Sequence, residues 1–438
     1  MENAESLATT PARETALDCV RAGIDAAHPE RVVADSVSLD GDALHVADAT
    51  YDLSAFDRVV VVGGGKAADG VADALEAILG DRIDAGAVVT TDPGSGDRID
   101  RLPGTHPVPS AEGVESTDAV ASLVADADDR TLVLAVVTGG ASALLPSPAG
   151  GISLDDLKAT TDALLDAGAE IGALNAVRKH LSTLKGGGLA RSAAPATVVG
   201  LVFSDVVGND LSVIASGPAA PDESTYADAL DVLERYGVDP PAAVRNRLER
   251  GAAGELPETP RADDPVFDRV DNHVLADGFT AIGAAREVAR EAGYETLVLS
   301  SSVRGEAREA ALTHVAVAEE VGRTGNPLAS PAVVLSGGEA TVTVRGDGDG
   351  GPNGEFALAA ALELPDGATL ACVDTDGHDG SSAAAGAVVD ADTVDDVPAA
   401  RRALAESDAF GYLDGRNAVV RTGTTGTNVN DLRVLVVE

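Results

Sequence analysis

Short runs of β-branched residues alternate along the chain with alanine-rich stretches whose apolar residues recur at helical spacing. This alternation is typical of a mainly parallel sheet covered by helices, because parallel strands need helical crossovers between them. We therefore expect an α/β fold. The predicted strands cover 59–62, 85–90, 132–137, 197–203, 273–276, 296–300, 332–336, 340–345, 369–373, 418–421 and 432–437.

A change of composition after residue 250 marks the predicted domain boundary. Glycine, proline and charged residues dominate 250–268, where the apolar runs stop. We expect one domain over 1–250 and a second, smaller domain over 265–438. Within the second domain, Leu335-Ser-Gly-Gly-Glu-Ala-Thr-Val-Thr-Val is predicted to form a hairpin, which would make its sheet mixed.

Most predicted strands end in a small polar loop rich in glycine. In open α/β sheets, ligands bind beyond the carboxyl ends of the strands, where glycine lets backbone N–H groups approach a phosphate. Six such loops predict a shared site for a phosphorylated ligand. They are Gly63-Gly-Gly-Lys66, Thr138-Gly-Gly-Ala-Ser142, Ser204-Asp-Val-Val-Gly-Asn-Asp210, Ser336-Gly-Gly-Glu339, Asp374-Thr-Asp-Gly-His-Asp-Gly380 and Thr422-Gly-Thr-Thr-Gly-Thr-Asn428.

The chain carries a formal net charge of −41, from 72 acidic residues against 31 Lys and Arg residues. A field of this sign repels nucleic acid and anionic membranes, so we expect neither as a partner. Screening shortens to about 3 Å at 1 M salt, and this surface is therefore typical of a salt-loaded cytoplasm. The acidic N-terminus, two cysteines far apart and no long uncharged apolar stretch also favour a cytoplasmic protein. We expect a monomer or a homodimer.

The densest positive cluster is Asn175-Ala-Val-Arg-Lys-His-Leu-Ser-Thr-Leu-Lys-Gly-Gly-Gly188. On one continuous helix, four polar residues would share a face: Asn175, Arg178, Ser182 and Lys185. Arginine suits bidentate contact with a carboxylate or phosphate, and lysine supplies a mobile charge. No neutralising acid is near in sequence, so we expect an anionic ligand here. A helix that forms salt bridges to the acidic surface is the alternative.

The segment Val59-Val-Val-Val-Gly-Gly-Gly-Lys-Ala-Ala formally matches a dinucleotide fingerprint. The next predicted strand lacks the acid that would bind a ribose, because Asp92 comes late. A Walker-type loop is excluded, since no upstream glycine or following Ser/Thr is in place. What remains is a glycine turn with the Lys66 ammonium at a helix start, expected to contact a phosphate or carboxylate. Lys158, by contrast, is predicted to be an ordinary solvated helix residue.

Carboxylates at the predicted strand ends are candidate ligands for Mg²⁺, which takes few protein oxygens together with substrate phosphates. The candidates are Asp205, Glu339 and Asp376. His106 is interpreted either as a substrate contact or as a structural turn residue. A flexible glycine loop is predicted to enter a helix near Asn353, where it could cover a nucleotide.

Taken together, these stretches resemble the glycerate 2-kinase family, whose C-terminal half is the MOFRL domain, and the acidic composition indicates a haloarchaeal-type member. The resemblance covers nearly the whole chain. The matching motifs are Gly-Gly-Lys66-Ala-Ala, His106-Pro-Val-Pro, Thr138-Gly-Gly-Ala-Ser-Ala-Leu, Asn175-Ala-Val-Arg-Lys-His-Leu-Ser with Lys185-Gly-Gly, Ser204-Asp-Val-Val-Gly-Asn-Asp with Ala215-Ser-Gly-Pro218, Leu335-Ser-Gly-Gly-Glu, Gly350-Gly-Pro-Asn353, Asp376-Gly-His-Asp-Gly and Thr422-Gly-Thr-Thr-Gly-Thr-Asn-Val-Asn-Asp431.

The resemblance implies a Rossmann-like N-terminal domain, a mixed-sheet C-terminal domain and a cleft that uses ATP and Mg²⁺. It also implies phosphorylation of D-glycerate, usually on the 2-hydroxyl, to give 2-phosphoglycerate. The implied catalytic residues are Lys66, Arg178 and Asp205, and the implied substrate ligands are Ser142, Asn175, Lys185 and His106. The implied nucleotide ligands are Gly64, Gly65, Gly337, Gly338, Asn353, Thr424 and Asn428, and the implied metal ligands are Asp205, Glu339 and Asp376.

One departure from the family and two rival functions stay open. Some members carry an arginine where this chain has Pro352, so Arg178, Arg345 or a lysine would have to substitute for it. The first rival is an NAD(P)H-dependent hydroxypyruvate reductase that uses the 63–68 turn. The second is a nucleotide- or anion-binding protein without turnover.

Overall fold

The computed structural model describes residues 1–438, which form two compact units. One unit is Val32–Leu275, called here the parallel-sheet unit. The other combines Met1–Arg31 with Ala276–Glu438 and is called the mixed-sheet unit. No helix in the chain combines the length and the apolar character that a membrane span requires.

The strands are numbered in chain order. They are β1 (Val37–Asp40), β2 (Ala43–Val46), β3 (Ala49–Asp52), β4 (Arg58–Gly64), β5 (Ala85–Thr90), β6 (Asp100–Pro103), β7 (Thr131–Val137), β8 (Thr197–Phe203), β9 (Val270–Ala276), β10 (Glu295–Glu306), β11 (Ala332–Thr341), β12 (Ala368–Asp374), β13 (Gly386–Asp390), β14 (Val419–Val420) and β15 (Asp431–Val437).

The helices are numbered in the same way. They are α1 (Ala4–Leu7), α2 (Pro11–Ala26), α3 (Pro29–Ser36), α4 (Ala68–Leu79), α5 (Ala111–Ala125), α6 (Ala141–Leu144), α7 (Leu154–Asp166), α8 (Ile171–His180), α9 (Gly188–Ala193), α10 (Tyr226–Tyr236), α11 (Ala242–Ala252), α12 (Gly278–Glu291), α13 (Ala307–Thr324), α14 (Pro352–Ala361), α15 (Val397–Ala405) and α16 (Ala409–Asp414).

The observed division differs from the predicted domains 1–250 and 265–438 at both ends of the parallel-sheet unit, which runs from Val32 to Leu275 and includes most of β9. Helix α2 begins at Pro11 behind the Thr10 N-cap, and it belongs to the mixed-sheet unit rather than to the unit that follows it in sequence. It packs closely on α12: a Cβ on Gly23 would lie 3.0 Å from a carbonyl oxygen of that helix. The absence of a side chain at Gly23 therefore permits this docking.

The parallel-sheet unit is built on a six-stranded sheet with the order β6-β5-β4-β7-β8-β9. The pairs from β6 to β8 are all parallel, and β4 and β7 are buried along nearly their whole length. Such strands read as continuous valine-rich runs because helices cover both faces. The loops that follow β4, β6, β7 and β8 meet at the carboxyl edge of this sheet.

The mixed-sheet unit has the strand order β10-β11-β15-β12-β13-β14. Only β10 and β11 pair in parallel, and the other neighbours are antiparallel. The prediction of an α/β fold with one parallel and one mixed sheet is therefore confirmed. Helices α13 and α14 cover this sheet around the fully buried Phe356.

The predicted hairpin in the mixed sheet is wrong. Residues of the Ser-Gly-Gly-Glu motif lie inside the single strand β11, and the predicted strand 340–345 does not form. Gly338 has a φ of +127°, and a Cβ there would lie 2.2 Å from the carbonyl oxygen of Val303 in β10. Glycine at this position allows close strand contact at a register shift, and it does not form a turn.

Several short strands were not predicted. The antiparallel meander β1–β2–β3 and the strands β6 and β13 are only four or five residues long, and most of the meander residues are partly exposed. A pattern of buried residues needs more length than this to stand out from a loop.

Candidate active site

The carboxyl edge of the parallel sheet brings several predicted site residues together. Lys66 follows β4, the 138–142 loop follows β7, and His106 follows β6. A Cβ on Gly140 would lie 3.0 Å from Cδ2 of His106 and 3.3 Å from Cγ of Lys66. The two side chains therefore flank Gly140, whose φ of +83° also requires glycine. Asp205, half-buried, follows β8 at the same edge.

The glycine turn after β4, which includes the predicted nucleotide ligands Gly64 and Gly65, uses several of its backbone N–H groups within the protein. The N–H of Gly65 donates to the carbonyl of Val89 at 3.0 Å, and that of Lys66 donates to the carbonyl of Gly139 at 2.8 Å. The next N–H, of Ala67, donates to Thr138 Oγ1 at 3.2 Å. These three backbone donors hold the end of β5 and the β7 loop, so they are not available for a phosphate.

A cavity of about 310 Å³ opens beside this edge and is called here the Arg178 cavity. It brings together four of the predicted substrate or catalytic residues: His106, Ser142, Arg178 and Lys185. Lys158, predicted to be an ordinary solvated helix residue, is half-buried on α7 and also lines the cavity. Leu157 and Leu165 add apolar wall from the same helix, α7.

The predicted helix face of the 175–185 stretch forms only in part. Helix α8 ends at His180, and the chain then turns through Gly186 and Gly187, both in the left-handed region, into α9. Arg178, Ser182 and Lys185 nevertheless line the same cavity, because the turn folds back on the end of the helix.

The Arg178 cavity contains two desolvated cations without an acid in hydrogen-bond contact. Nζ of Lys185 donates to the backbone carbonyls of Ser142 and Leu145, at 2.9 and 3.2 Å. Burial, with a smaller effect of the nearby Arg178 charge, lowers the pKa of Lys185 to about 7. Burial also lowers the pKa of Arg178, against the opposing effect of Asp162. An anion in this cavity would offset both costs.

Asn175 reaches the cavity through another residue. Its Oδ1 accepts a hydrogen bond from Ser216 Oγ at 2.9 Å, and Ser216 Oγ lies 2.9 Å from Oγ of Ser142. Asn175 and Ser216 are buried, so Ser142 is the one of these three hydrogen-bonded residues that lines the cavity. Ser216 and its neighbour Ala215 have φ values of +61° and +52°, a strained conformation for residues with a Cβ.

Two other basic residues of the same stretch have acidic partners that are distant in sequence. Lys179 is buried and forms an ion pair with Asp222 at 3.0 Å, and the Lys179 charge helps lower the pKa of that carboxyl. Nε2 of His180 lies 3.2 Å from Oε2 of Glu258. The alternative of a structural salt bridge therefore applies to Lys179, whereas Arg178 has no acid in hydrogen-bond contact.

A cluster of carboxylates lies at one end of the mixed sheet. Asp374 ends β12, Asp376 and Asp379 lie in the loop after it, and Asp431 begins β15. Burial raises the pKa of Asp374 well above its usual range, with further effects of Asp376 and Asp431. Burial, opposed by hydrogen bonds from Asn353 and supported by Asp431, raises the pKa of Asp379 to about 7.

Asn353 is fully buried within this cluster and does not present its amide to a ligand. Its Nδ2 donates to Asp431 Oδ1 at 2.6 Å and to Asp379 Oδ1 at 3.2 Å. The predicted helix start is present, since α14 begins at Pro352. In this structure the amide nitrogen of Asn353 holds two carboxylates together, and its Oδ1 has no hydrogen-bond partner.

The remaining predicted nucleotide and metal ligands of the mixed-sheet unit lie in different environments. Gly337 and Gly338 are buried inside β11, whereas Glu339 is exposed. Thr424 is exposed and Asn428 half-buried, in the loop before β15. No group of three or more His, Cys, Asp or Glu side chains in the chain is arranged to hold a metal ion by itself.

Comparison with known proteins gives consistent matches. Residues 15–249 match a family described as a domain of unknown function (DUF4147), and residues 332–431 match the MOFRL family. D-glycerate 2-kinase of Thermotoga maritima is 37 % identical over 429 residues, which cover 96 % of this chain and 97 % of that protein. A protein of Agrobacterium vitis with a provisional hydroxypyruvate reductase name is 40 % identical over 391 residues, covering 87 % of each chain.

A solved structure supports the same relationship. The crystal structure of glycerate kinase from Thermotoga maritima has a TM-score of 0.85 and 36 % sequence identity, and the match covers 97 % of this chain and 99 % of that one. Identity at this level over almost the full length, with a MOFRL match in the C-terminal part, means that the chain belongs to the MOFRL-domain glycerate 2-kinase family.

Proposed function

We propose that this protein transfers the γ-phosphoryl group of ATP to D-glycerate, on the 2-hydroxyl, giving 2-phosphoglycerate. The observation that carries the proposal is the Arg178 cavity, where two desolvated cations and the Ser142 hydroxyl line about 310 Å³. A small hydroxy acid has the matching chemistry, with one carboxylate for the cations and hydroxyls for polar contacts. The relatives named glycerate kinases support this choice of acceptor.

Each cavity residue has a proposed task. The Arg178 guanidinium pairs with the glycerate carboxylate, and Lys185 adds charge from the cavity wall. Ser142, held by Ser216 and Asn175, orients a substrate hydroxyl, and His106 closes the opening beside Gly140.

Phosphoryl transfer needs mainly positioning and charge compensation, and we assign the charge compensation to Lys66. With Pro352 in place of an arginine, Arg178 and Lys66 also supply the charge that such an arginine would bring.

ATP is proposed as the second substrate and Mg²⁺ as its counter-ion. Mg²⁺ in kinases usually takes one or two carboxylates together with phosphate oxygens and water, so a preformed protein cage is not required. Burial, together with the negative charges of Asp376 and Asp431, raises the pKa of Asp374, which fits a nearby cation, and Asp376 is a buried neighbour in that loop. Asp205, Glu339 and Asp376 are the proposed ligands, and the ion would screen the phosphate charges during transfer.

The nucleotide contacts that we retain lie in the mixed-sheet unit. Thr424 and Asn428 are accessible in the loop before β15, so we propose that they contact the nucleotide. Asn353 is proposed to position Asp379 and Asp431 rather than to touch ATP.

A hydroxypyruvate reductase is the second candidate, favoured by the name of the Agrobacterium relative. The N–H groups of Gly65, Lys66 and Ala67 are used within the protein, so the turn that would bind a dinucleotide has no free donors. Strand β5 ends at Thr90 without an acidic residue for a ribose. Both observations favour the kinase.

Steady-state kinetics in molar KCl separate the two functions and test the cavity. We expect ADP formation that requires D-glycerate, and no oxidation of NADH or NADPH by hydroxypyruvate. Arg178→Ala should raise KM for glycerate roughly 10- to 100-fold, the effect of losing charge-assisted hydrogen bonds. The control Arg245→Ala removes an exposed, ion-paired arginine and should leave KM unchanged. Reductase activity without ADP formation would reverse the assignment.

We further propose that the protein works in a salt-loaded cytoplasm, as in haloarchaeal-type members of the family. The support is the net charge of −41 spread over the surface, which is tolerable only where salt screens it.

A further inference from the structure

A second pocket of about 220 Å³ lies on the other side of the 182–185 turn. Its basic lining residues are Lys179, His180, Lys185, Arg191 and Arg247, and none of its lining residues is acidic. It is called here the Arg247 pocket. An acid-free lining is unusual in this chain, where 72 acidic residues outnumber 31 Lys and Arg residues.

The positive charge of the Arg247 pocket is only partly compensated. Lys179 and His180 have acidic partners, Asp222 and Glu258, as described above. The two arginines form no ion pair and donate to neutral oxygens instead. Arg191 Nη2 donates to the backbone carbonyl of Glu258 at 2.6 Å, and Arg247 Nε donates to the backbone carbonyl of His180 at 2.8 Å.

The pocket is also preorganised. The guanidinium of Arg247 lies 5.9 Å from the ring centroid of Tyr226 and donates a second hydrogen bond to its hydroxyl at 3.2 Å. The Tyr226 ring packs in turn on His180, at 4.5 Å between centroids. Two of the five guanidinium N–H groups of Arg247 are thus used. The remaining N–H groups are held in a fixed orientation and can donate to a ligand.

We propose that the Arg247 pocket binds inorganic phosphate or a phosphate monoester, at a regulatory site separate from the Arg178 cavity. Phosphate matches the guanidinium donors of Arg191 and Arg247, which line the same pocket, and its charge supplies what the lining lacks. Lys185 and Ser182 line both spaces, so an occupant of the pocket adjoins a side chain of the substrate cavity. The choice of a phosphate monoester as the ligand rests on the proposed function, because 2-phosphoglycerate would then be produced next to the pocket.

The coupling between the two spaces has a defined direction. An anion in the Arg247 pocket favours the charged form of Lys185, and a charged Lys185 favours an anionic substrate in the Arg178 cavity. Phosphate at low concentration should therefore lower KM for glycerate rather than compete with it.

Calorimetric titration with inorganic phosphate, in the Arg178→Ala variant, tests binding without any need for turnover. This background weakens phosphate binding in the substrate cavity, and we expect one remaining site. Adding Arg191→Ala and Arg247→Ala to this background should reduce the affinity of the remaining site for phosphate roughly tenfold or more. The matched control adds Arg245→Ala and Arg250→Ala, which remove the same charge from exposed ion pairs on α11.

The outcomes are distinct. Equal phosphate affinity in the Arg191→Ala/Arg247→Ala variant and in the matched control would overturn the proposal, as would no binding in the Arg178→Ala background. Repeating the titration with 2-phosphoglycerate separates the two sources, because tighter binding than phosphate identifies the monoester. Circular dichroism of each variant confirms folding. Since no step depends on catalysis, failure of the kinase assignment would leave the phosphate result intact.

Discussion

Lys185 and Arg178 are two like charges held inside the parallel-sheet unit. Their burial costs free energy that no acidic partner in hydrogen-bond contact offsets, and this is visible in the lowered pKa values of both groups. Such a cost is common where a site is built for a ligand that supplies the missing charge. The cavity therefore has a chemical reason to prefer an anion.

Glycerate binding should weaken as pH rises above about 7. Burial lowers the pKa of Lys185 to about 7 in the folded protein. Above that pH Lys185 loses its proton, and glycerate binding must then take up a proton to restore the charge. We expect KM to rise by up to about tenfold per pH unit above this value, and the dependence should disappear in Lys185→Met. Initial rates across pH 6 to 9 measure it, and a flat KM profile in the wild type would contradict this role.

The sequence motifs identify most cavity residues but not how they are supported. Arg178, Ser142 and Lys185 stand in distinctive motifs, whereas Lys158 looks like any helix residue until the fold places α7 beside the cavity. Ser216 lies in one of the family motifs, Ala215-Ser-Gly-Pro218. Its role depends on hydrogen bonds to Ser142 and Asn175, which the spacing of residues in the sequence does not predict.

Helix α14 depends on a carboxylate from another part of the chain. Its N-cap is Gly351, which has no side chain to cap the first turn. Asp379 accepts hydrogen bonds from the backbone N–H groups of Asn353 and Gly354 at 3.0 and 2.7 Å and takes over this role. The helix and the carboxylate loop are therefore linked through one side chain.

The stabilising effect of Asp379 should depend on pH. Its pKa is raised to about 7, so between about pH 4 and 7 the folded state holds a proton that the unfolded state lacks. Stability from this group therefore falls as pH rises through that window, by at most about 1.4 kcal/mol per pH unit. Burial lowers the pKa of His314 to about 4, so the stability contributed by His314 rises with pH over part of the same range. A comparison with a variant of Asp379 is therefore needed to isolate its own effect.

Asp379→Asn provides that comparison. Urea unfolding of both proteins in molar KCl should show the wild type losing stability relative to the variant as pH rises from 5 to 7. A stability difference that stays constant over this range would mean that Asp379 does not titrate there.

Strand order and glycine function were the least predictable features of the elements. A Gly-Gly pair usually signals a turn, and in β11 it instead permits close contact with β10 at a register shift. The long valine-rich strands of the parallel sheet were predicted correctly because burial on both faces gives an unmistakable pattern. Helix α2 joins the mixed sheet through packing at Gly23, which only the fold shows.

The four lysines of the chain are not scattered over its acidic surface. Lys158 and Lys185 line the Arg178 cavity, Lys179 and Lys185 line the Arg247 pocket, and Lys66 flanks Gly140. Elsewhere, surface cations are arginines, many of them in ion pairs with Asp or Glu. The lysines of this chain therefore lie at or beside its two basic cavities rather than on the open surface.

Thermal stability should rise with salt concentration. With a net charge of −41, repulsion at low salt acts over about 10 Å and shrinks to about 3 Å at 1 M. Each kcal/mol of relieved repulsion should raise Tm by about 2–4 °C. Scanning calorimetry in dilute and molar KCl measures the shift, and equal Tm values in both would contradict a salt-adapted surface.

Phosphorus NMR of the protein in molar KCl with Mg-ATP and D-glycerate tests the proposed reaction most directly. We predict a new phosphomonoester signal, growing as the γ-phosphate signal declines, whose proton coupling identifies 2-phosphoglycerate. An unchanged ATP spectrum, from protein shown to be folded in that salt, would contradict the kinase and shift the search to another hydroxy acid or to the reductase.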